Sequence, residues 1–429
     1  MKNCKAHLGC CKVVWLFSFW GILHSPRAFA FLFTASKQSW QTSHRSLHPL
    51  VPRPLFAADK FQEDDQPDLV SALMEDDDSS ISISSSPSWA RYALLISSFT
   101  DGILASPQAQ SFLKHSLACS LLAERVRKAE AQVRESVMAS PCNGPNMEAF
   151  NALEEYDEQL LQSTSDCDDA SANRLLQSLG TGMKGKPNVR ILYIPTAMYA
   201  LNPNSANTPG KQRQRARADG KKRRNQLVQH LEDLLGPHLP EASVLAITLD
   251  LDDGSLKQPT GSDAAADFPA DGVEALTTWA PHIVYVEGGN TFWLQHCLEK
   301  GSWASHLRAA CTGPDAPSVY IGKSAGAIIA GATVATATWK GWDDPSVVPG
   351  KETYDDWKGH PGLDMVGSQS FFPHMSDDWE STVAEKRQEV QPKELSDKIV
   401  CLREYDACCV DGSDQIMELV SGVEAAVAQ

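Results

Sequence analysis

The sequence predicts an α/β protein, a three-layer sandwich with a mostly parallel sheet and helices on both faces. From residue 188 onward, short apolar runs alternate with segments of helical spacing. This pattern is typical of a parallel sheet that is covered on both sides. Before that point, residues 111–180 have mainly helical spacing, which predicts an added helical region. In such sheets, ligands bind beyond the carboxyl ends of the strands.

The predicted elements follow in chain order. The run ALLISS at 93–98 predicts a buried strand that ends in turn residues, and two helices are predicted at 111–137 and 147–161. The alternating part then predicts strands at 188–197, 242–251, 281–289 and 317–322, with helices at 226–236, 290–300 and 325–335.

Charge is divided unevenly along the chain. The formal net charge is −16, yet the first 58 residues hold seven Lys or Arg and no acid, which leaves 31 basic against 54 acidic residues in the rest. An acidic body argues against a dedicated nucleic-acid binder, because neutralising phosphates needs a positive face. The basic run KQRQRARADGKKRR at 211–224 lies between a predicted strand and a predicted helix, so it is interpreted as a solvated loop and helix start.

The acid-free leader has the pattern of a targeting sequence. Residues 1–30 combine a lysine-rich start, the apolar run VVWLFSFWGIL and an A-x-A-like site at Ala28 and Ala30, which predicts a signal peptide. Residues 31–58 are rich in Ser and basic residues, as transit peptides are. The two parts resemble the bipartite presequence of algae with secondary plastids. Import into a plastid is therefore expected, and the secretory pathway or an extracellular location is the alternative.

The rest of the chain divides into two regions. Residues 59–88 are acidic and Ser-rich and predict a disordered linker, because they offer little apolar surface to bury. Residues 89–429 are assigned to one folded domain, with the helical insertion at about 111–180. The apolar run of the leader is too short to span a bilayer without help, so no stable membrane association is expected after processing.

The pentapeptide GKSAG, with Ser324 at its centre, matches the G-x-S-x-G turn that presents a nucleophilic serine. A predicted strand precedes it and a predicted helix follows, so the serine Oγ would project from a tight turn. The N–H of Ala325, at the helix start, would then be available to bind an oxyanion. The alternative interpretation is a small residue in a crowded turn.

A second strand-to-helix turn, EGGNTF, supplies further backbone donors. Gly288 and Gly289 would expose their N–H groups and let a ligand approach the backbone closely. An ordinary turn capped by Asn290 is the alternative. A serine nucleophile also needs a base, and His374 follows the strand-like SFFP, a better place for a fixed imidazole than the Gly/Pro loop of His360.

Four segments in order, EGGNTFWL, YIGKSAG, FFPHM and CLREYDACCVDG, resemble the serine peptidase family of dipeptidase E (α-aspartyl dipeptidase) and cyanophycinase. The resemblance spans roughly 90–420. It implies a class I glutamine-amidotransferase-like, flavodoxin-like sandwich, in agreement with the alternation of strands and helices. It also implies Ser324 as the nucleophile and His374 as the general base, with the oxyanion donors at the two glycines and the alanine named above.

The resemblance leaves the acid of the triad open between two segments. The dipeptidase places a Glu in a late segment of the chain, which corresponds to Glu404 here, and this residue is favoured. Asp343 and Asp344, in WKGWDDP, lie between the serine and the histidine and are its competitors.

Residues that would bind substrate are implied less directly. Asn290 and Thr291 belong to the NTF motif, which favours the dipeptidase branch, because cyanophycinases have Gln in place of the Thr. Lys323 stands where the dipeptidase has an aromatic residue. It would bind a substrate carboxylate, lower the pKa of the nucleophile or face solvent. Arg387, in AEKRQE, is the nearest candidate for the arginine that recognises an N-terminal aspartate.

The expected activity is hydrolysis of dipeptides or short, Asp-containing peptides through an acyl-enzyme on Ser324. A small peptide is the expected partner, and no metal or organic cofactor is implied. The sequence leaves open whether the chain forms a homo-oligomer. One alternative is an α/β-hydrolase-type esterase that would use Ser324, His374 and either Asp343 or Asp344. In α/β-hydrolases the oxyanion loop usually lies much farther upstream of the serine. The glycine pair found here lies only 36 residues before Ser324, which argues against this alternative. The other alternative is a non-catalytic, amidotransferase-like binding protein.

Overall fold

The computed structural model describes residues 89–139, 169–181, 188–240, 242–257, 268–313, 316, 318–389, 398–412 and 415–422. The predicted signal peptide, transit-like segment and linker, all within 1–88, lie outside these ranges and stay predictions, as does the predicted helix at 147–161. None of the described helices is both long enough and apolar enough to cross a membrane.

The described strands form one large sheet and one strand pair. In chain order they are β1 (Tyr92–Ile96), β2 (Asn188–Ile194), β3 (Ser243–Leu249), β4 (Leu256–Lys257), β5 (Ile283–Val286), β6 (Val319–Lys323), β7 (Ser370–Phe372), β8 (Ile399–Cys401), β9 (Asp406–Asp411) and β10 (Ile416–Ser421). The large sheet has the order β10-β9-β1-β6-β5-β2-β3-β4. Its five central strands are parallel, while β4, β9 and β10 pair antiparallel. Strands β7 and β8 pair with each other in parallel.

Eight α-helices are present in the described ranges. They are α1 (Pro107–Ala139), α2 (Asp169–Thr181), α3 (Pro209–Leu235), α4 (Gly272–Leu276), α5 (Thr291–Lys300), α6 (Trp303–Cys311), α7 (Ala325–Ala330) and α8 (Glu380–Glu389). Residues of α1, α2 and α3 join the apolar core on one face of the sheet, and residues of α4 to α7 join the core on the other face.

Alternation along the strands explains these two cores. In β1, Leu94 and Ile96 belong to the core beneath α1 and α3, while Ala93 and Leu95 belong to the opposite one. All five residues of β1 are buried, as expected for a strand covered on both faces. The predicted three-layer α/β sandwich with a mostly parallel sheet is thereby confirmed.

Most predicted elements are found within a few residues of their expected bounds, but two predictions are wrong. The helix predicted at 226–236 begins at Pro209, where Thr208 caps it by accepting a hydrogen bond from the N–H of Lys211. The basic run at 211–224 is therefore the first half of a long helix, not a solvated loop. The helix predicted at 325–335 ends at Ala330, because the backbone of Gly331 is extended.

The strand order brings three turns together at one edge of the sheet. Strands β1, β6 and β5 are neighbours and parallel, so their carboxyl ends lie side by side. Ser97 follows β1, Ser324 follows β6 and the glycine pair follows β5. This is the edge at which ligands bind in sheets of this kind.

Candidate active site

Ser324 occupies a strained turn between β6 and α7. Its backbone angles are φ 49° and ψ −107°, outside the regions that a non-glycine residue ordinarily adopts. The N–H of Ser324 donates to the carbonyl of Ile96 at 2.8 Å, which extends the pairing of β6 with β1 by one residue. The surrounding sheet therefore holds the strained residue in place.

The glycine two residues after the serine, Gly326, is required by close packing. A Cβ at this position would lie 2.3 Å from the carbonyl oxygen of Val286, at the end of β5. Only a glycine lets α7 start this close to the neighbouring strand. The G-x-S-x-G pattern is thus a packing requirement of the turn that presents Ser324.

His374 and Glu404 approach Ser324 from the β7–β8 pair. His374 Nε2 lies 3.0 Å from Ser324 Oγ, and His374 Nδ1 lies 2.6 Å from Glu404 Oε2. His374 follows β7 with a positive φ of 54°, and Glu404 lies in the turn between β8 and β9. The pairing of β7 with β8 brings the loop of the imidazole next to the loop of the carboxylate.

Ser97 connects these two loops to the main sheet. Its buried hydroxyl accepts a hydrogen bond from the N–H of His374 at 2.7 Å and donates to the carbonyl of Leu402 at 3.1 Å. The same carbonyl accepts from the N–H of Met375 at 2.8 Å. One side chain thus fixes the backbone on both sides of the imidazole–carboxylate contact. No sequence motif marks Ser97, so its role is visible only in the structure.

Lys340 also supports the loop that carries His374. Its Nζ donates to the carbonyls of Pro373 and His374, each at 2.6 Å. The ammonium group also lies 4.3 Å from the ring centroid of Trp342, with the rings of Phe372 and Trp379 at 4.4 and 5.3 Å. Burial lowers the pKa of Lys340 to about 8. No sequence motif marks Lys340 either.

Lys323 has a partner inside the protein. Its Nζ lies 2.8 Å from Oε1 of the buried Glu287, which also pairs with Arg223 at 3.1 Å. The other oxygen of Glu287 accepts from the hydroxyl of Tyr193 at 3.0 Å. A buried carboxylate requires such counter-charges, so Lys323 balances Glu287 one residue before the serine.

The predicted oxyanion donors lie in the two turns that follow β5 and β6. A Cβ on Gly288 would be 2.9 Å from Ser324 Cβ, although the N–H of Gly288 already donates to Glu287 Oε1 at 3.2 Å. Gly289 has φ 148°, and a Cβ there would lie 2.4 Å from the carbonyl of Ala197. Ala325 is the first residue of α7, so its N–H has no acceptor within that helix.

Asp343 and Asp344 contact the start of α5 and its surroundings. Oδ2 of Asp343 accepts from the N–H of Thr291 at 3.0 Å, and burial raises the pKa of this carboxyl. Asp344 Oδ1 accepts from the N–H of Ser346 at 2.9 Å. Neither carboxylate hydrogen-bonds to His374 within the described ranges, where Glu404 occupies that position.

The remaining predicted residues have structural contacts. Asn290 caps α5 by accepting from the N–H of Trp293 at 2.9 Å, and its amide donates to the carbonyl of Asp344 at 2.9 Å. Arg387, on α8, donates to the carbonyl of Ile399 in β8 at 2.8 Å. His360 lies 2.9 Å from Glu299 Oε1 and takes no part in the contacts of Ser324 described above.

A hydroxyl, an imidazole and a carboxylate in hydrogen-bonded series are the arrangement that activates a serine for nucleophilic attack in hydrolases. Residues 268–417 match the model of peptidase family S51, and the three groups all lie in this segment. The predicted family resemblance is confirmed for this segment, which is similar to peptidase family S51.

A crystal structure of a candidate peptidase E protein from Listeria monocytogenes EGD-e is similar at 14% identity and a TM-score of 0.34, covering 77% of this chain and 98% of that one. Curated protein sequences give no significant match.

Proposed function

We propose that the chain is a serine-type peptidase that hydrolyses dipeptides or short, Asp-containing peptides. The observation that supports this proposal is the series from Ser324 Oγ to His374 Nε2, at 3.0 Å, and from His374 Nδ1 to Glu404 Oε2, at 2.6 Å. These distances are within hydrogen-bond reach, which is the geometric requirement for a nucleophile, its base and the group that orients the base.

The reaction begins when Ser324 Oγ attacks the peptide carbonyl. His374 Nε2 takes the hydroxyl proton, and Glu404 stabilises the imidazolium that forms. The tetrahedral oxyanion accepts hydrogen bonds from the N–H of Ala325 and from the glycine turn after β5. His374 then gives its proton to the leaving amine. In the second half of the reaction His374 takes a proton from water, which attacks the acyl-enzyme, and the proton passes to Ser324 Oγ as the acid is released.

The proposed preference for acidic peptides rests on the family resemblance and on the charges near Ser324. A cavity of about 170 Å³ is lined in part by Thr100, Arg223, His230 and Lys323. Glu287 also lines it and pairs with both cations, so two positive groups surround one carboxylate. The resulting surplus of positive charge favours a substrate carboxylate.

Comparison of wild-type protein with Ser324→Ala in a dipeptide-library hydrolysis assay tests the proposal. Loss of the nucleophile should lower kcat by about 10⁴-fold or more. His360→Ala is the matched control and should retain activity, because this histidine is not in contact with Ser324. Equal hydrolysis by wild type and Ser324→Ala would refute the mechanism. Failure of a fluorophosphonate probe to label Ser324 in folded wild-type protein would favour the non-catalytic alternative.

We also propose that residues 1–58 direct import into a plastid. The acid-free composition and the A-x-A-like site before Phe31 support this proposal. A fluorescent protein fused after residue 58 should enter the plastid in a secondary-plastid alga, while a fusion after residue 30 should stop in the secretory pathway. Secretion of both fusions would contradict the proposal.

A further inference from the structure

The basic run of α3 lines a cavity that lies apart from Ser324. The cavity has a volume of about 330 Å³, within the range of small-molecule sites. Four cations line it, three of them from the helix: Arg217, Lys221, Arg224 and Lys257. No carboxylate is among the described residues of its wall, so the cavity concentrates positive charge.

Arg224 is the most unusual of these four groups. It is 6% exposed and donates to two neutral oxygens, Thr248 Oγ1 at 3.1 Å and Asn225 Oδ1 at 3.3 Å. In the part of the chain that the structure describes, no carboxylate forms an ion pair with it. A buried cation without a counter-charge is costly, and burial accordingly lowers the pKa of Arg224.

The other cations differ in how far they are compensated. Arg217 pairs with Asp250 at 3.3 Å and Asp253 at 3.5 Å, yet its buried Nε has no hydrogen-bond partner among the described residues. Lys221 and Lys257 are exposed, and neither forms an ion pair within the described ranges. Set against the two carboxylates that pair with Arg217, the four cations leave a surplus of about two positive charges and unused guanidinium donors.

We propose that this cavity is a binding site for a small oxyanion of the phosphate class. A guanidinium presents N–H groups in a planar fork that matches the oxygens of phosphate, and lysines add point charges at the mouth. The bound anion would supply the counter-charge that Arg224 lacks. The site uses the basic residues of α3 that the peptidase reaction leaves unused.

The position of the cavity separates it from the proposed peptidase reaction. Thr248 belongs to β3, and strands β2 and β5 lie between β3 and β6 in the sheet. Three strand spacings correspond to about 14 Å, farther than a dipeptide bound at Ser324 would reach. Anion binding can therefore be measured independently of peptide hydrolysis.

Titration calorimetry with inorganic phosphate, against sodium chloride at matched ionic strength, tests the proposal. We expect saturable binding at one site, equal in wild type and Ser324→Ala. The double variant Lys221→Met/Lys257→Met should weaken binding by about tenfold or more, since the two charge-assisted contacts together contribute at least that factor. Arg224→Met should abolish binding. If that variant does not fold, the lysine double variant still tests the proposal, because both of its changes are at exposed positions.

Lys222→Met is the matched control, because it removes the same charge from the same helix without lining the cavity. It should leave the phosphate affinity unchanged. Absence of phosphate binding beyond the chloride control would overturn the proposal, and so would an equal loss of affinity in Lys222→Met and the double variant. Tighter binding of malonate than of phosphate would overturn the assignment to the phosphate class.

Discussion

The two sides of the candidate site are built differently. Ser324 belongs to the main sheet: its N–H pairs with β1, and Gly326 allows α7 to pack against β5. His374 and Glu404 lie instead on loops beside the small β7–β8 pair, with side chains that are 28% and 51% exposed. The nucleophile is thus held by the protein core, and the imidazole and carboxylate by a peripheral structure.

The peripheral side depends on contacts from outside its own segment. Ser97 contacts the N–H of His374 across 277 residues of sequence, and Lys340 holds two consecutive carbonyls of the same loop. Both His374 and Ser324 have positive φ, so each is held in a costly conformation by its surroundings. Changes on either side should therefore lower activity by different physical routes.

The largest effect is expected from the carboxylate on the peripheral side. Glu404→Gln removes the charge that stabilises the imidazolium and should lower kcat by about 10³-fold. Asp343→Asn and Asp344→Asn are the matched controls, because these carboxylates contact the start of α5 or a neighbouring turn, and each should change kcat by less than about fivefold. Survival of activity in Glu404→Gln, with loss in either Asp variant, would favour the esterase alternative.

A change on the core side should have the next largest effect. Gly326→Ala places a Cβ 2.3 Å from the Val286 carbonyl and forces α7 away from β5. We expect a decrease of about 1–3 kcal/mol in the free energy of unfolding and a clear loss of kcat, because Ser324 moves with the helix. Gly210→Ala is the control, since a Cβ there meets nothing within 4 Å. Equal stability of the two variants in urea would show that the turn tolerates a larger residue.

A smaller effect is expected from Ser97. Ser97→Ala leaves the N–H of His374 without its acceptor, which should cost about 1–3 kcal/mol of stability and lower kcat about tenfold. Ser106→Ala is an informative control, because Ser106 accepts from the N–H of Ala109 at the start of α1, far from His374 in the chain. That variant should lose stability but keep kcat. An equal loss of kcat in both variants would mean that Ser97 acts only through stability.

The two sides also differ in what the sequence alone could predict. The strand–glycine–serine–glycine–helix order of β6 and α7 is local, so Ser324 and its turn follow from a motif of five residues. The five parallel strands of the large sheet were predictable because most of their residues are buried and form apolar runs. Ser97 and Lys340 have no such local signature, because their contacts with His374 depend on how distant segments pack.

The start of α3 shows the same limit. Its basic residues carry no apolar pattern, so the sequence indicates only a solvated loop and helix start at 211–224. In the structure, Arg213 pairs with Asp252 at 2.8 Å and Arg223 with Glu287, so charged contacts replace an apolar face. A search for hydrophobic periodicity does not detect a helix that packs through ion pairs.

Lys340 gives the most specific prediction on the peripheral side, through its pH dependence. Its pKa is lowered to about 8 by burial, against the partly opposing effects of the Cys401 thiol and the Glu404 carboxylate. As the pH rises through about 8, Nζ loses its charge and its bonds to the two carbonyls weaken. The kcat of wild type should therefore decrease a few-fold as the pH rises through this value. Lys340→Met should be less active than wild type at pH 7 and should not show this decrease.

Stability should change in the opposite direction. The unfolded chain binds this proton up to the ordinary lysine pKa of 10.5, whereas the folded protein releases it near 8. Between these values the unfolded state holds more protons, so the free energy of unfolding of wild type rises with pH relative to Lys340→Met. Urea unfolding of both proteins at pH 7.5 and pH 10 measures this difference. If stability and kcat moved together with pH, the effect would come from unfolding of the loop and not from the charge of Lys340.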